Sequence, residues 1–125
     1  MKRIIHTDKA PKAIGPYSQA VEANGIVYCS GQISLNPETM EIVGESAKAQ
    51  AQQVMKNLGA VLEAAGSSFD KIVKTTIFLA SMDDFATVNE VYGAYFSSEP
   101  PARETVAVKT LPKNSLVEIS CIALA

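Results

Sequence analysis

The chain has no tryptophan, one histidine and two cysteines, and aromatic residues make up only 6% of its 125 residues. Each scarcity removes a class of chemistry. Cys29 and Cys121 lie far apart with no CxxC spacing, and His6 stands alone, so a zinc site has no ligand set to draw on. A Ser-His-Asp set with an evident base is missing, and so is a glycine-rich phosphate loop leading into a helix. An enzyme of this composition is expected to work without a metal or a bound cofactor. Each cysteine sits in an apolar, strand-like run, where it behaves as a small hydrophobe, and no redox role is assigned to either.

Long apolar runs are also lacking. No stretch approaches the ~20 residues of a membrane helix, and Met1 to Asp8 has no apolar segment of signal-peptide length. The expected location is the cytoplasm. Neither sign of charge dominates: 11 basic residues face 13 acidic ones, a formal net charge of −2. The lysines Lys2, Lys48, Lys56, Lys71, Lys74 and Lys109 are scattered. A nucleic acid or anionic membrane partner needs a concentrated basic surface, so both are disfavoured.

What the chain does have is apolar residues, 47% of the total. At this length folding buries roughly two-thirds of the chain's surface, enough for one domain with a core. No repeat or linker divides it, so residues 1–125 are read as a single domain. Ile4 to Thr7 reads as a short strand, followed by a turn-rich stretch from Lys9 to Pro16. Tyr17 to Ala23 and Ile26 to Gly31 read as strands joined by Asn24-Gly25, a pair that tolerates the positive φ angles of a tight hairpin.

From Ser46 the period changes. Ala47, Ala51, Val54, Leu58, Val61, Leu62 and Ala65 recur at helical spacing. Ser46 can cap the start, and Gly66 can end the helix in a left-handed turn. Gly59 is a modest penalty inside it, compatible with close packing. Lys71 to Ala80 is a strand rich in β-branched residues. A second helix is expected from about Asp83, with Phe85, Val88, Tyr92 and Phe96 as its apolar stripe and an acidic start opposing the helix dipole. Arg103 to Thr110, a turn at Pro112 to Ser115, and a last strand from Leu116 to Leu124 complete the order β-β-β-α-β-α-β-β.

Two helices among six strands predict an α+β domain with both helices on one sheet face. The last strand, however, is apolar on both sides. Val117, Ile119, Cys121 and Ala123 share one face; Leu116, Ile122 and Leu124 lie on the other, among Glu118 and Ser120. A sheet apolar on both faces needs cover on both, and no helix remains for the second. The expectation is a homo-oligomer, with clefts between subunits as candidate binding sites.

Several polar residues occupy positions a plain core would not choose. Arg103 follows Pro100-Pro101-Ala102, whose prolines stiffen the approach to a strand mouth. Its planar guanidinium suits two-pronged capture of a carboxylate or phosphate, and a surface arginine at a strand end is the plainer alternative. Asn89 falls on the apolar stripe of the second helix, where a packing contact and a ligand contact are equally open. Glu118 sits between Val117 and Ile119; a carboxylate there needs a partner or raises its pKa. A structural ion pair, with Arg103 or a lysine, is the alternative. Ser30-Gly31-Gln32 ends a strand, where Gly31 either admits a ligand to backbone N–H groups or forms a bulge. Tyr17 follows Gly15-Pro16 at another strand mouth and reads equally as an edge aromatic.

Taken together, these segments resemble one family. Gly15-Pro16-Tyr17-Ser18-Gln19-Ala20, Ser30-Gly31-Gln32-Ile33 and Val73-Lys74-Thr75-Thr76-Ile77-Phe78-Leu79 are similar to signatures of the RidA/YjgF family. Phe85 with Asn89-Glu90-Val91-Tyr92, Pro101-Ala102-Arg103, and Leu111-Pro112 through Val117-Glu118-Ile119 extend the likeness over essentially the whole chain. The resemblance implies a chorismate-mutase-like α+β fold, a homotrimer whose sheets form a central barrel, and ligand sites between subunits. It also implies an enamine/imine deaminase that hydrolyses 2-aminoacrylate or 2-iminobutyrate to a 2-oxo acid and ammonia, detoxifying a reactive intermediate.

By the same resemblance Arg103 grips the substrate carboxylate and Glu118 holds the attacking water. Tyr17 closes over the substrate from a neighbouring subunit, while Ser30, the Gly31 backbone and Asn89 complete the polar wall. Many members carry cysteine two residues after the arginine, where this chain has Thr105. Arg103 and Thr105 share a strand face by alternation, which puts Thr105 in the same pocket. Two other readings stand beside the deaminase: a regulatory protein that senses small carboxylates without turnover, and a ribonuclease or translation inhibitor. The charge balance supports the last one least.

Overall fold

Alternation along six strands sorts their residues into two faces, and nearly all the large apolar side chains of one face meet the helices. The computed structural model describes residues 1–125. In chain order the elements are β1 (Lys2–Ile5), β2 (Ala20–Ala23), β3 (Ile26–Gln32), α1 (Ala47–Ala64), β4 (Ile72–Leu79), α2 (Phe85–Gly93), β5 (Ala102–Ala107) and β6 (Val117–Leu124). They form one six-stranded sheet in the order β1-β2-β3-β6-β4-β5. All neighbours are antiparallel except β4 and β5, whose parallel pairing is made possible by the α2 crossover. The expected α+β architecture, with both helices on one face, is what the sequence folds into.

The core lies between that face and α1. Val27, Ile77, Leu79, Val117, Ile119 and Ala123 meet Val54, Met55, Leu58, Val61 and Leu62 of the helix. Burial of each large side chain contributes about 1.5–3 kcal/mol. Both ends of α1 are fixed as the sequence suggests. Ser46 Oγ accepts from the Ala49 N–H at 3.1 Å. Gly66, at φ +78, donates to the Glu63 carbonyl while Ser67 donates to Leu62, both at 2.9 Å, which satisfies carbonyls the helix leaves free. A Cβ on Gly59 would lie 3.0 Å from the Phe69 ring, so this glycine does permit close packing. Asn24 and Gly25, at φ 51 and 78, make the two-residue turn between β2 and β3.

β5 stops at Ala107, short of the expected Thr110, and α2 ends at Gly93, which leaves Phe96 beyond the helix. Three further boundaries differ because a side chain or turn competes for backbone groups. β1 ends at Ile5, not Thr7, since the Thr7 N–H is taken by Gln19 Oε1 at 2.7 Å. Tyr17 lies outside β2: its N–H bonds the Gly15 carbonyl at 2.9 Å in a tight turn, with Gly15 at φ 121. α2 starts at Phe85 after a 3₁₀ turn, Met82–Asp84, whose first free N–H groups are met by Ser81 Oγ accepting from Asp83.

The second sheet face carries no helix. Tyr28 and Val106 on it are 50% and 47% exposed, and Phe78 and Ile122 are half-buried. Cys29 and Cys121 face the core as register partners on β3 and β6. Both are free thiols; their mutual contact favours the thiolate at Cys29 and disfavours it at Cys121.

Candidate functional site

Strand register decides which predicted residues can meet. Arg103 pairs with Thr75 and Thr105 with Ile77, both core-facing, so Arg103 and Thr105 point to the helix-covered face. Glu118 pairs with Phe78 on the uncovered face. Within one chain the sheet stands between Arg103 and Glu118, and an ion pair between them is excluded.

Arg103 is oriented by α2. Its Nη1 donates to Asn89 Oδ1 at 2.5 Å. Its guanidinium carbon lies 5.6 Å from the Phe85 ring centroid and 5.2 Å from that of Tyr92, within cation–π range of both. Tyr92 is fixed in turn by Thr75, hydroxyl to hydroxyl at 2.8 Å, and burial pushes its phenol pKa up. Asn89 is exposed, not buried as its place on the apolar stripe implied, because β5 is an edge strand and α2 overhangs it. Thr105 lines the same tight seam as Arg103 and Asn89, and its buried Oγ1 has no hydrogen-bond partner.

Glu118 is held differently. Along β3, Cys29 pairs with Cys121 but Gln32 pairs with Ile119, so three steps on β3 match two on β6. Ser30 and Gly31 form the resulting bulge, which re-aims the strand. Gly31 thereby comes under Glu118: a Cβ on it would sit 2.2 Å from Glu118 Oε2. A side chain there would force the carboxylate aside, since it fills the space a Cβ would take. Burial raises the Glu118 pKa, and neither a hydrogen bond nor an opposite charge offsets it. The carboxylate is poised and unpaired.

Tyr17, Gly31 and Glu118 line one cavity of about 300 Å³. Tyr17 reaches it from the loop before β2, its hydroxyl accepting from the Ile14 N–H at 3.4 Å. Ser30 is at the bulge, but its hydroxyl donates to the Ser18 carbonyl at 2.6 Å. The seven predicted residues thus fall into two groups: Arg103, Asn89 and Thr105 on one face, and Tyr17, Gly31 and Glu118 on the other with Ser30 beside them. Lys12, Gln19 and Lys113 also line the cavity and were not singled out from sequence. Lys113 and Asn114 adopt left-handed backbone, φ 56 and 54, in the Pro112–Ser115 turn. No group of three or more His, Cys, Asp or Glu side chains converges to hold a metal ion. No helix is long and apolar enough to cross a membrane.

Comparison with known proteins decides the family. A family model described as Endoribonuclease L-PSP matches residues 7–125. The chain belongs to the RidA/YjgF family. Among RidA/YjgF relatives, Reactive Intermediate Deaminase A, chloroplastic, of Arabidopsis thaliana is 51% identical over 98% of this chain and 65% of its own length. The 2-iminobutanoate/2-iminopropanoate deaminase of Mus musculus is 48% identical over 99% of this chain and 92% of its own. The structure of the Rid-family protein YyfA from Yersinia pestis superposes with a TM-score of 0.98 at 51% identity, covering 100% of both chains. Deaminases are therefore among its relatives, in a family whose model carries a ribonuclease description.

Proposed function

We propose that this RidA/YjgF protein is an enamine/imine deaminase acting on 2-aminoacrylate and 2-iminobutyrate. The observation that carries the reading is the pairing of a pre-oriented Arg103 with an unpaired, partly desolvated Glu118, on opposite faces of one sheet. One chain cannot bring them to one substrate, but two can. The uncovered apolar face and the unpaired edge of β5 suit association with further copies, and a homotrimer is the assembly proposed. Arg103, Asn89 and Thr105 of one chain would then meet Glu118, Gly31 and Tyr17 of its neighbour.

In that cleft the Arg103 fork binds the substrate carboxylate, and the orphaned Thr105 hydroxyl supplies a further donor to it. Glu118, ionised, accepts a hydrogen bond from water and directs it to the imine carbon. Addition of water to C=N gives a carbinolamine, one water proton passing through Glu118 to nitrogen; on collapse the hydroxyl proton follows by the same route, C=O forms, ammonia leaves with both protons, and Glu118 is again ionised. An imine is already electrophilic, so positioning accounts for the required rate gain without a covalent nucleophile. The substrate is a small molecule and the setting proposed is the cytoplasm.

The test generates 2-iminobutyrate in situ with a threonine dehydratase and follows 2-oxobutyrate, with wild type and Arg103→Ala side by side. Acceleration by the wild type alone is expected. No acceleration by a well-folded oligomer would overturn the reading in favour of a carboxylate-binding regulator. Sedimentation should give three chains per particle, and Tyr28→Glu, which puts charge on the apolar face, should shift it to monomer.

A further inference from the structure

Gln19 is 2% exposed, an unusual place for an amide that belongs to no regular element. It earns that burial with hydrogen bonds in two directions. Its Oε1 accepts from the Thr7 N–H at 2.7 Å. Its Nε2 donates to the carbonyls of Thr7 at 3.0 Å and Pro11 at 2.8 Å, with Ala10 at 3.4 Å. These bonds tie down residues 7–11, the start of the loop that carries Lys12, Ile14 and Tyr17 to the cavity. Its own main-chain carbonyl accepts from the Ser30 N–H at 3.0 Å, while the adjoining Ser18 carbonyl accepts from Ser30 Oγ at 2.6 Å. Side chain and main chain of one residue therefore fix two separate walls of the cavity: the Tyr17 loop and the Ser30–Gly31 bulge beneath Glu118.

We infer that Gln19 is a positioning residue that holds the Tyr17 loop and the Ser30–Gly31 bulge in one frame, so that substrate meets a preformed cavity. This deepens the deaminase reading and rests on it for the kinetic arm only. No other side chain bonds the main chain of residues 7–11 except Thr7 Oγ1, which accepts from Lys9 N at 3.2 Å within the loop itself. Apolar packing anchors the loop at Ala10, 1% exposed, but not at its far end, where Ile14 and Tyr17 are 65% and 55% exposed. Without the amide, three carbonyls and one N–H lose their protein partner and turn to water.

The first variant is Gln19→Met, which keeps the length of the side chain and removes every hydrogen bond it makes. Amide exchange read residue by residue should quicken at Thr7, Ile14, Tyr17 and Ser30, with α1 and β4 keeping wild-type protection. In the imine assay KM should rise at least about tenfold while kcat stays within a few-fold, the split expected of lost preorganisation. Gln19→Glu is the second variant, in case Met fails to fold. It is isosteric, keeps the acceptor for Thr7 and loses both donor hydrogens; the same directions are expected with smaller amplitude.

Unchanged exchange at Tyr17 and Ser30 would overturn the inference, as would loss of protection through α1 and β4, which marks a folding role. A looser loop with an unchanged KM would overturn it too. If the wild type hydrolyses no imine, the deaminase reading fails, and the exchange pattern still decides whether Gln19 frames the cavity.

Discussion

Arg103 and Glu118 lie on opposite faces of one sheet, and the chain treats their charges in opposite ways. Arg103 is exposed yet oriented, held through one donor by Asn89 and flanked by two aromatic rings. Glu118 is half-buried yet unengaged, with a glycine cleared beneath it and its pKa raised by burial alone. The cation is oriented by contacts that do not consume its charge: a neutral amide and two π faces leave the rest of its fork free for an anion. The carboxylate is made more basic by being left without a partner. A binder needs the first arrangement and a base needs the second, which is the division of roles the proposed deaminase reading requires.

Breaking the binding half should have the largest effect. Arg103→Ala removes a charged, two-pronged contact and is expected to lower kcat/KM on the order of 10³-fold or more, with thermal stability close to wild type. Steady-state assay beside a melting curve checks both. The basic half comes next. Glu118→Gln keeps shape and loses basicity, for a loss of roughly 10²–10⁴-fold, mainly in kcat. Its pH signature sharpens the comparison. The carboxylate acts only when ionised, and its pKa is raised, so activity should fall with decreasing pH at an inflection above the ordinary glutamate value of about 4.3. A pH–rate profile should show that limb in wild type and not in Glu118→Gln.

Gly31→Ala attacks the carboxylate from below. The added Cβ would lie 2.2 Å from Oε2, so Glu118 must swing aside, and about 10²-fold in kcat/KM should be lost though Glu118 itself is intact. Rescue to near wild type would show that the carboxylate relaxes without consequence. The smallest effect belongs to Asn89→Ala. The aromatic rings still hold Arg103, and a rise in KM of under about tenfold is expected.

Much of this was legible before the fold was known. The element order followed from period changes, and Asn24-Gly25, Ser46 and Gly66 marked real ends because each answers a local backbone demand. What sequence could not supply was register. The face of Arg103 depends on its pairing with Thr75, and that of Glu118 on Phe78, both set by contacts far apart in the chain. The bulge at Ser30–Gly31 is invisible to simple alternation, which counts one residue per step. The strand expected from Tyr17 begins only at Ala20, because the Tyr17 N–H closes a turn on the Gly15 carbonyl and the Gln19 side chain bonds Thr7. Cys29 and Cys121 gave no hint from spacing that they would be cross-strand partners.

The place of β6 in the sheet bears on how the molecule is made. It lies between β3 and β4 and supplies the only ladder joining the β1–β3 meander to the β4–α2–β5 unit. It is also the last of the six strands to emerge from a ribosome. A nascent chain that has not reached Val117 holds two sheet fragments with facing open edges and an α1 lacking half its platform. Domains usually fold as units during synthesis, but here the unit closes only with its final strand. Closure of the sheet therefore waits on β6, and a chain cut before Val117 is expected to lack the ladder that joins its two halves.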